Sequence, residues 1–207
     1  MYDDEIQENK VILLGETAVG KTSIIKRYYD DTFDTNEVTT ISMSYVDKII
    51  ELNKMKYKLI IWDTIGQEKY RSISKLFLTE AKIVILVYCI DKKDTFENLD
   101  FWYNLYKEEL GDEAILGIAG NKADLFMEQV VSYQEGEKFA NERGAIFAEI
   151  SAKENKVTIN NFMNDLVKAY IAKNKGEKIN NNNKVKLGEG NNQKKEGCCG
   201  KSKSKGK

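Results

Sequence analysis

The 207-residue sequence predicts an α/β fold: a six-stranded, mostly parallel sheet with one antiparallel edge strand, flanked by about five helices. Three observations predict it. Apolar runs alternate with stretches of helical spacing over the second half of the chain, the order that builds parallel sheets with helices on both faces. Two strand-like runs meet at Asn53-Lys54 in a hairpin, which supplies the antiparallel pair. Ile83 to Ile90 is apolar throughout, as expected of a strand covered on both sides.

The elements follow in order. Lys10 to Leu14 is a short apolar strand ending at Gly15. Lys21 to Tyr29 has helical spacing, with Ile24, Ile25 and Tyr28 on one side. Asp30 to Thr40 is polar and rich in turn formers, and reads as a long exposed loop. Ser42 to Leu52 and Met55 to Asp63 are the hairpin strands, and Ile83 to Ile90 is the fully covered one. Phe96 to Leu110 reads as a helix and Ala114 to Ala119 as another buried strand. Ser132 to Arg143 reads as a helix opened by a capping serine, with a glutamate three positions on. Ala145 to Ile150 is the last strand and Val157 to Lys173 the last helix. Residues 1–173 form the expected domain. Residues 174–207 are a low-complexity, basic tail expected to be disordered, because it holds too few apolar side chains to offset the entropy of ordering.

Composition narrows the function classes. There is no histidine, which removes the usual general base and the commonest metal ligand. The three cysteines, Cys89, Cys198 and Cys199, do not suggest a disulfide framework, and Cys89 lies inside an apolar run. Met1 to Glu8 is acidic and lacks the apolar stretch of a secretory signal, and no apolar run is long enough to span a membrane. The net charge of −1 conceals an asymmetry: Lys173 to Lys207 holds eleven lysines and three glutamates, a net +8, so residues 1–172 carry −9. An acidic body argues against nucleic acid as its ligand, and the basic tail suits an anionic surface.

Two motifs carry the chemistry. Gly15-Glu16-Thr17-Ala18-Val19-Gly20-Lys21-Thr22, followed by Ser23, matches the phosphate-binding loop GxxxxGK[ST]. Its glycines let successive N–H groups converge on an anion, and the following helix points its N-terminus at the same place. Lys21 would reach the β- and γ-phosphates, and the Thr22 hydroxyl would ligate Mg²⁺. Asn121-Lys122-Ala123-Asp124 follows a buried strand and so lies at a carboxyl end of the sheet. A carboxylate at Asp124 can accept from guanine N1–H and its 2-amino group, whereas adenine offers neither donor. Ser151-Ala152-Lys153 lies past the last strand, where the Ala152 N–H could close over the base.

With these residues in place the chain resembles the small GTPases of the Ras superfamily, the P-loop NTPase fold, and within them the Rab branch. The likeness runs over residues 8–172 and includes "GETAVGKT", "DDTF", "TTIS", "WDTIGQEKYRSI", "TFEN", "GNKADL" and "EISAK". "GETAVGK" and "GNKADL" lean towards the endosomal Rabs. The resemblance implies GTP and GDP as ligands with Mg²⁺ as cofactor, and further roles by position. Thr40 would be the switch I threonine that binds Mg²⁺ when the γ-phosphate is present, and Asp63 would hold the Mg²⁺ shell through water. The Gly66 N–H would contact the γ-phosphate, Gln67 would orient the attacking water, and Phe33 would lie against the guanine. Tyr45, Trp62 and Phe77 match the aromatic triad that effectors read; the alternative for the first two is an ordinary core position, and for Phe77 packing of the switch II helix. Two loops, Asp30 to Met43 and Thr64 to Lys75, would be held by the γ-phosphate and released on hydrolysis. The implied protein is a monomer on the cytosolic face of an endomembrane, partnered by effectors, an exchange factor and a GTPase-activating protein.

The departures from the pattern are specific. Ile65 stands where the family has alanine: either its stiff β-branched side chain hinders Gly66 and slows hydrolysis, leaving a GTP-bound scaffold, or a neighbouring pocket absorbs it. Ser42 replaces a glycine, Glu37 an aromatic expected over the phosphates, and Cys89 an aspartate. Cys198-Cys199 resembles a Rab prenylation site, but Gly200 to Lys207 follow it with four more lysines, and no terminal CaaX box is present. That departs from the prenylation pattern; palmitoylation, C-terminal trimming or an appended sequence would each account for it.

Overall fold

The computed structural model describes residues 7–36, 40, 44–64, 77–154 and 156–174. The six strands are β1 (Gln7–Leu14), β2 (Ser44–Leu52), β3 (Met55–Asp63), β4 (Ile83–Cys89), β5 (Ile115–Asn121) and β6 (Ile146–Glu149). The five α-helices among the described residues are α1 (Lys21–Asp30), α2 (Lys93–Glu97), α3 (Leu99–Leu110), α4 (Tyr133–Glu142) and α5 (Val157–Asn174). The strands lie in the order β2-β3-β1-β4-β5-β6, with β2 antiparallel to β3 and every other pair parallel.

The period of two in a strand explains how one sheet feeds two cores. Along β1, Val11 and Leu13 point into the layer under α1 and α5, while Ile12 and Leu14 point into the layer under α3 and α4. On β4, Ile83, Ile85, Val87 and Cys89 join the first layer, and Val84, Leu86 and Tyr88 the second. All seven residues of β4 are buried, the outcome expected for a strand covered on both faces. The hairpin turn puts both Asn53 and Lys54 at positive φ, +52° and +65°, the conformation a two-residue connection with the right twist demands. At the start of α4, Ser132 accepts from the Glu135 N–H while the Glu135 side chain accepts from the Ser132 N–H, so the expected capping box is formed.

Two element boundaries differ from expectation by three residues, the others by fewer. The first strand begins at Gln7 rather than Lys10, because β1 pairs with β3 from Gln7 opposite Tyr57 onward. The helix expected over 96–110 begins earlier and breaks at Asn98 into α2 and α3. Thr95 causes the early start. Its buried hydroxyl donates to Lys92 O at 2.7 Å and accepts from the Cys89 N–H at 3.0 Å, tying the first turn to the end of β4.

This order places a topological switch point between β1 and β4. The chain leaves β1 towards one side of the sheet and later returns to build the other, which opens a crevice beyond the strand ends. Both motifs sit there.

Candidate functional site

The loop after β1 wraps around the crevice with glycine at two points where nothing larger fits. A Cβ on Gly15, at φ +147°, would stand 2.2 Å from the Val87 backbone oxygen, which β4 holds in place. One on Gly20, at φ +91°, would stand 2.4 Å from Asn121 Nδ2. Ala18 also adopts a left-handed φ of +63°. Its carbonyl accepts from the Cys89 thiol at 3.7 Å, so the cysteine of the apolar β4 run also supports this turn. Cys89 is fully buried, and burial raises its thiol pKa.

Lys21 opens α1 and is only 6% exposed. Its ammonium donates to the carbonyls of Gly15 at 2.9 Å and Glu16 at 2.8 Å, neutral partners that replace little of its hydration. Burial pulls its pKa from 10.5 down to about 8, against the Asp63 and Glu16 carboxylates, which raise it. A cation left in this condition suits an anion that would complete its shell. Glu16 also accepts from Trp102 Nε1 at 3.1 Å, which ties the loop to α3.

Beside Lys21 three oxygens converge from three segments. Thr22 Oγ1 lies 2.7 Å from both Thr40 Oγ1 and Asp63 Oδ2, and Thr40 Oγ1 lies 3.5 Å from the same carboxylate oxygen. Among the described residues, no group of three His, Cys, Asp or Glu forms a metal site. One carboxylate and two hydroxyls fit a hard cation such as Mg²⁺, which keeps waters and takes its remaining oxygens from phosphate.

The far end of the crevice is built by side chains that hold one another. Asn121 is buried; its Nδ2 donates to Val19 O at 2.8 Å and its Oδ1 accepts from the Ala152 N–H at 3.3 Å. It therefore joins the phosphate loop to the Ser151–Lys153 loop. Asp124 Oδ1 accepts from Ser151 Oγ at 2.6 Å, and Lys153 Nζ stands 3.6 Å from its Oδ2. Lys122 takes a left-handed φ of +67°, with its ammonium 3.9 Å from Asp91. Together the two ends bound a cavity of about 370 Å³, a volume typical of small-molecule sites.

The comparisons agree with this geometry. The Ras family model matches residues 10–172. The chain belongs to the Ras family, as a Rab-type small GTPase. It is 39% identical to Ras-related protein Rab-10 of Caenorhabditis elegans over 79% of this chain and 81% of that protein. It is 39% identical to human Rab-21 over 78% of this chain and 72% of the relative. With mouse Rab-12 the identity is 42%, over 70% of this chain and 60% of the relative. These identities lie too close together to favour one Rab over another.

In this GTPase, the candidate residues Ala18, Gly20, Lys21, Thr22, Ser23, Phe33, Thr40, Asn121, Lys122, Asp124, Ala152 and Lys153 all line the cavity. Gly15, Thr17, Val19 and Ser151 do not; Gly15 and Val19 lie beneath the loop, and Ser151 braces Asp124. Asp34, Thr35, Thr64 and Leu125 line it without having been singled out; Thr64 and Leu125 fall inside quoted motifs but were given no role there. Tyr45, Trp62 and Phe77 form a contiguous strip, with ring centroids 5.1 Å apart for the first pair and 5.6 Å for the second. Tyr45 is 57% exposed, so it is not a core residue. Ile65, Gly66, Gln67, Glu37, Ser42, Cys198 and Cys199 lie outside the described residues, as does the tail beyond Asn174.

Arg27 escaped the sequence reading. Its ion pair with Asp31 at i,i+4 was legible, but its bonds to Ala152 and Lys153, 125 and 126 positions away, were not.

Proposed function

We propose that this Rab-type GTPase is a molecular switch in membrane trafficking: it cycles between GTP- and GDP-bound forms, hydrolyses GTP slowly, and recruits effectors when loaded. The observation that carries this reading is the contact of Thr40, from the loop after α1, with both Thr22 and Asp63. That contact would make the position of Thr40 depend on what fills the site beside Lys21. Lys21 would bind the β- and γ-phosphates, and Asp124 and Asn121 would hold guanine, with Phe33 against the base. Bound between Thr22, Thr40 and Asp63, Mg²⁺ would neutralise charge on the phosphate oxygens. By family position, the Gly66 N–H would meet the γ-phosphate and Gln67 would orient water. The strip of Tyr45, Trp62 and Phe77 would face effectors.

No arginine occurs in the phosphate loop, 15–22, or in the switch I segment, 30–43. An activating protein is therefore expected to supply the missing positive charge. Calorimetry on nucleotide-stripped protein with magnesium tests the core of the proposal. GDP and GTP should bind at least a thousandfold more tightly than ATP; comparable affinities would refute it. The alternative, a scaffold whose hydrolysis is impaired by Ile65, predicts that Ile65→Ala raises the single-turnover rate. An unchanged rate favours the ordinary enzyme.

Membrane attachment is proposed through lipid on Cys198 and Cys199, with the lysines around them drawn to anionic lipid; two chains give durable anchoring. Mass spectrometry of the native C-terminus should find the added lipid mass. An unmodified chain ending at Lys207 would rule the anchor out.

A further inference from the structure

Arg27 lies on α1, one turn before its end, with its side chain only 13% exposed. Its guanidinium makes four bonds in two directions. Nε donates to Ala152 O at 2.8 Å and Nη2 to Lys153 O at 3.0 Å. Nη1 donates to Asp31 O at 2.9 Å and to Asp31 Oδ1 at 3.0 Å. Ala152 is thus gripped from both sides: Asn121 accepts from its N–H, and Arg27 donates to its carbonyl. Asp31 closes α1 in a left-handed conformation, φ +63°, and its other carboxylate oxygen pairs with Lys156 at 3.0 Å. Lys156 in turn stands just before α5, at the end of the same base-side loop.

Both ends of this linkage reach walls of the cavity. Ala152 and Lys153 line its base end, and Phe33 and Asp34, two and three residues past Asp31, line the facing wall. We infer that Arg27 is a positioning residue: one guanidinium fixes the base-side loop to Asp31, at the start of switch I, and so sets how tightly the site closes on guanine. This rests on the guanine-binding reading above. The role needs a planar fork. A lysine ammonium is a point charge and cannot donate to three backbone carbonyls in these fixed directions.

The test uses fluorescent GDP on the full chain, with ADP as competitor, in the parent, Arg27→Lys, Asp31→Asn and the double variant. Arg27→Lys should speed GDP dissociation by about 10- to 100-fold, the range expected for losing backbone bonds from a charged donor. ADP affinity should change less than threefold, because it gains little from the base-side loop, so discrimination between the two nucleotides should fall. A merely structural role would weaken both nucleotides in proportion, and that result overturns the inference. So does GDP dissociation within twofold of the parent. Asparagine tolerates the left-handed φ, so Asp31→Asn keeps the backbone and removes the carboxylate alone. Its effect should be smaller, and in the double variant less than additive. Strict additivity overturns the link to switch I. A parent protein that fails to prefer GDP over ADP would instead sink the guanine reading itself, which keeps the two failures apart.

Discussion

Replacing Asp124 with alanine is expected to weaken GDP binding by about 10²- to 10⁴-fold while leaving ADP binding nearly unchanged. The reasoning starts from the carboxylate's setting. Its side chain is 12% exposed, with one oxygen fixed by Ser151 Oγ at 2.6 Å and the other within 3.6 Å of Lys153 Nζ. It is therefore already oriented before any ligand arrives, and orientation costs nothing further on binding. Guanine presents two donors to it, and two charge-assisted hydrogen bonds are worth about 3–6 kcal/mol together. Adenine presents none there, so an adenine nucleotide loses nothing when the carboxylate goes. Equilibrium titration of the stripped variant with both nucleotides reads the ratio directly. A GDP affinity within tenfold of the parent would mean that Asp124 does not read the base.

The second large effect is expected at Lys21, and it runs in opposite directions for binding and for stability. Lys21→Met should weaken GDP binding by at least about 100-fold, the loss of one charge-assisted phosphate contact. The nucleotide-free variant should nonetheless be at least as stable as the parent near neutral pH. Burial lowers the lysine pKa from 10.5 to about 8, which amounts to about 3 kcal/mol held against the folded state when the ammonium is charged. Part of that is offset by the two carbonyl bonds that methionine cannot make.

The sign follows from proton counting. Between about pH 8 and 10.5 the unfolded chain keeps a proton on Lys21 that the folded chain has released. Stability of the nucleotide-free parent should therefore rise with pH through that window, and the penalty is complete below it. Cys89 and Tyr28 have raised pKa values, the latter about 12, and contribute with the opposite sign from about pH 9 upward. Urea midpoints at pH 7, 8 and 9 are thus the clean measurement. The rise should shrink in Lys21→Met, and also in the GDP-bound parent, where phosphate restores the charged form; Lys10 and Lys48, whose pKa values burial also lowers, leave part of it. A variant markedly less stable than the parent without nucleotide would show that Lys21 is held as a structural cation, not a ligand-seeking one.

Much of this molecule was legible as sequence because its signals are local. The β4 run has no polar interruption, and full burial was its only outlet. Asn53-Lys54 fixed the register of the β2–β3 hairpin, since two residues allow only a tight turn. The phosphate loop and Asn121–Asp124 were readable for a related reason: each needs several residue types at set spacing on one short segment. What distance along the chain hides is which segments meet. Even a contact six positions back escaped: Thr95 pulled the start of α2 forward through a bond to the Cys89 backbone, and no helical periodicity encodes that.

The amino-acid order alone determined the sheet-and-helix alternation, the glycine-rich turn after β1 and the candidate carboxylate at Asp124, because these depend on neighbours within a few positions. Only the tertiary structure decided that Asn121 would be spent joining two loops, that Thr22, Thr40 and Asp63 would converge, and that Arg27 would span from Asp31 to Ala152 and Lys153. Those contacts depend on the strand order of the sheet, which brings the ends of β1, β3 and β5 and the loop after β6 to one edge. A side chain's partner across a hundred residues is set by that packing and by nothing in its immediate sequence.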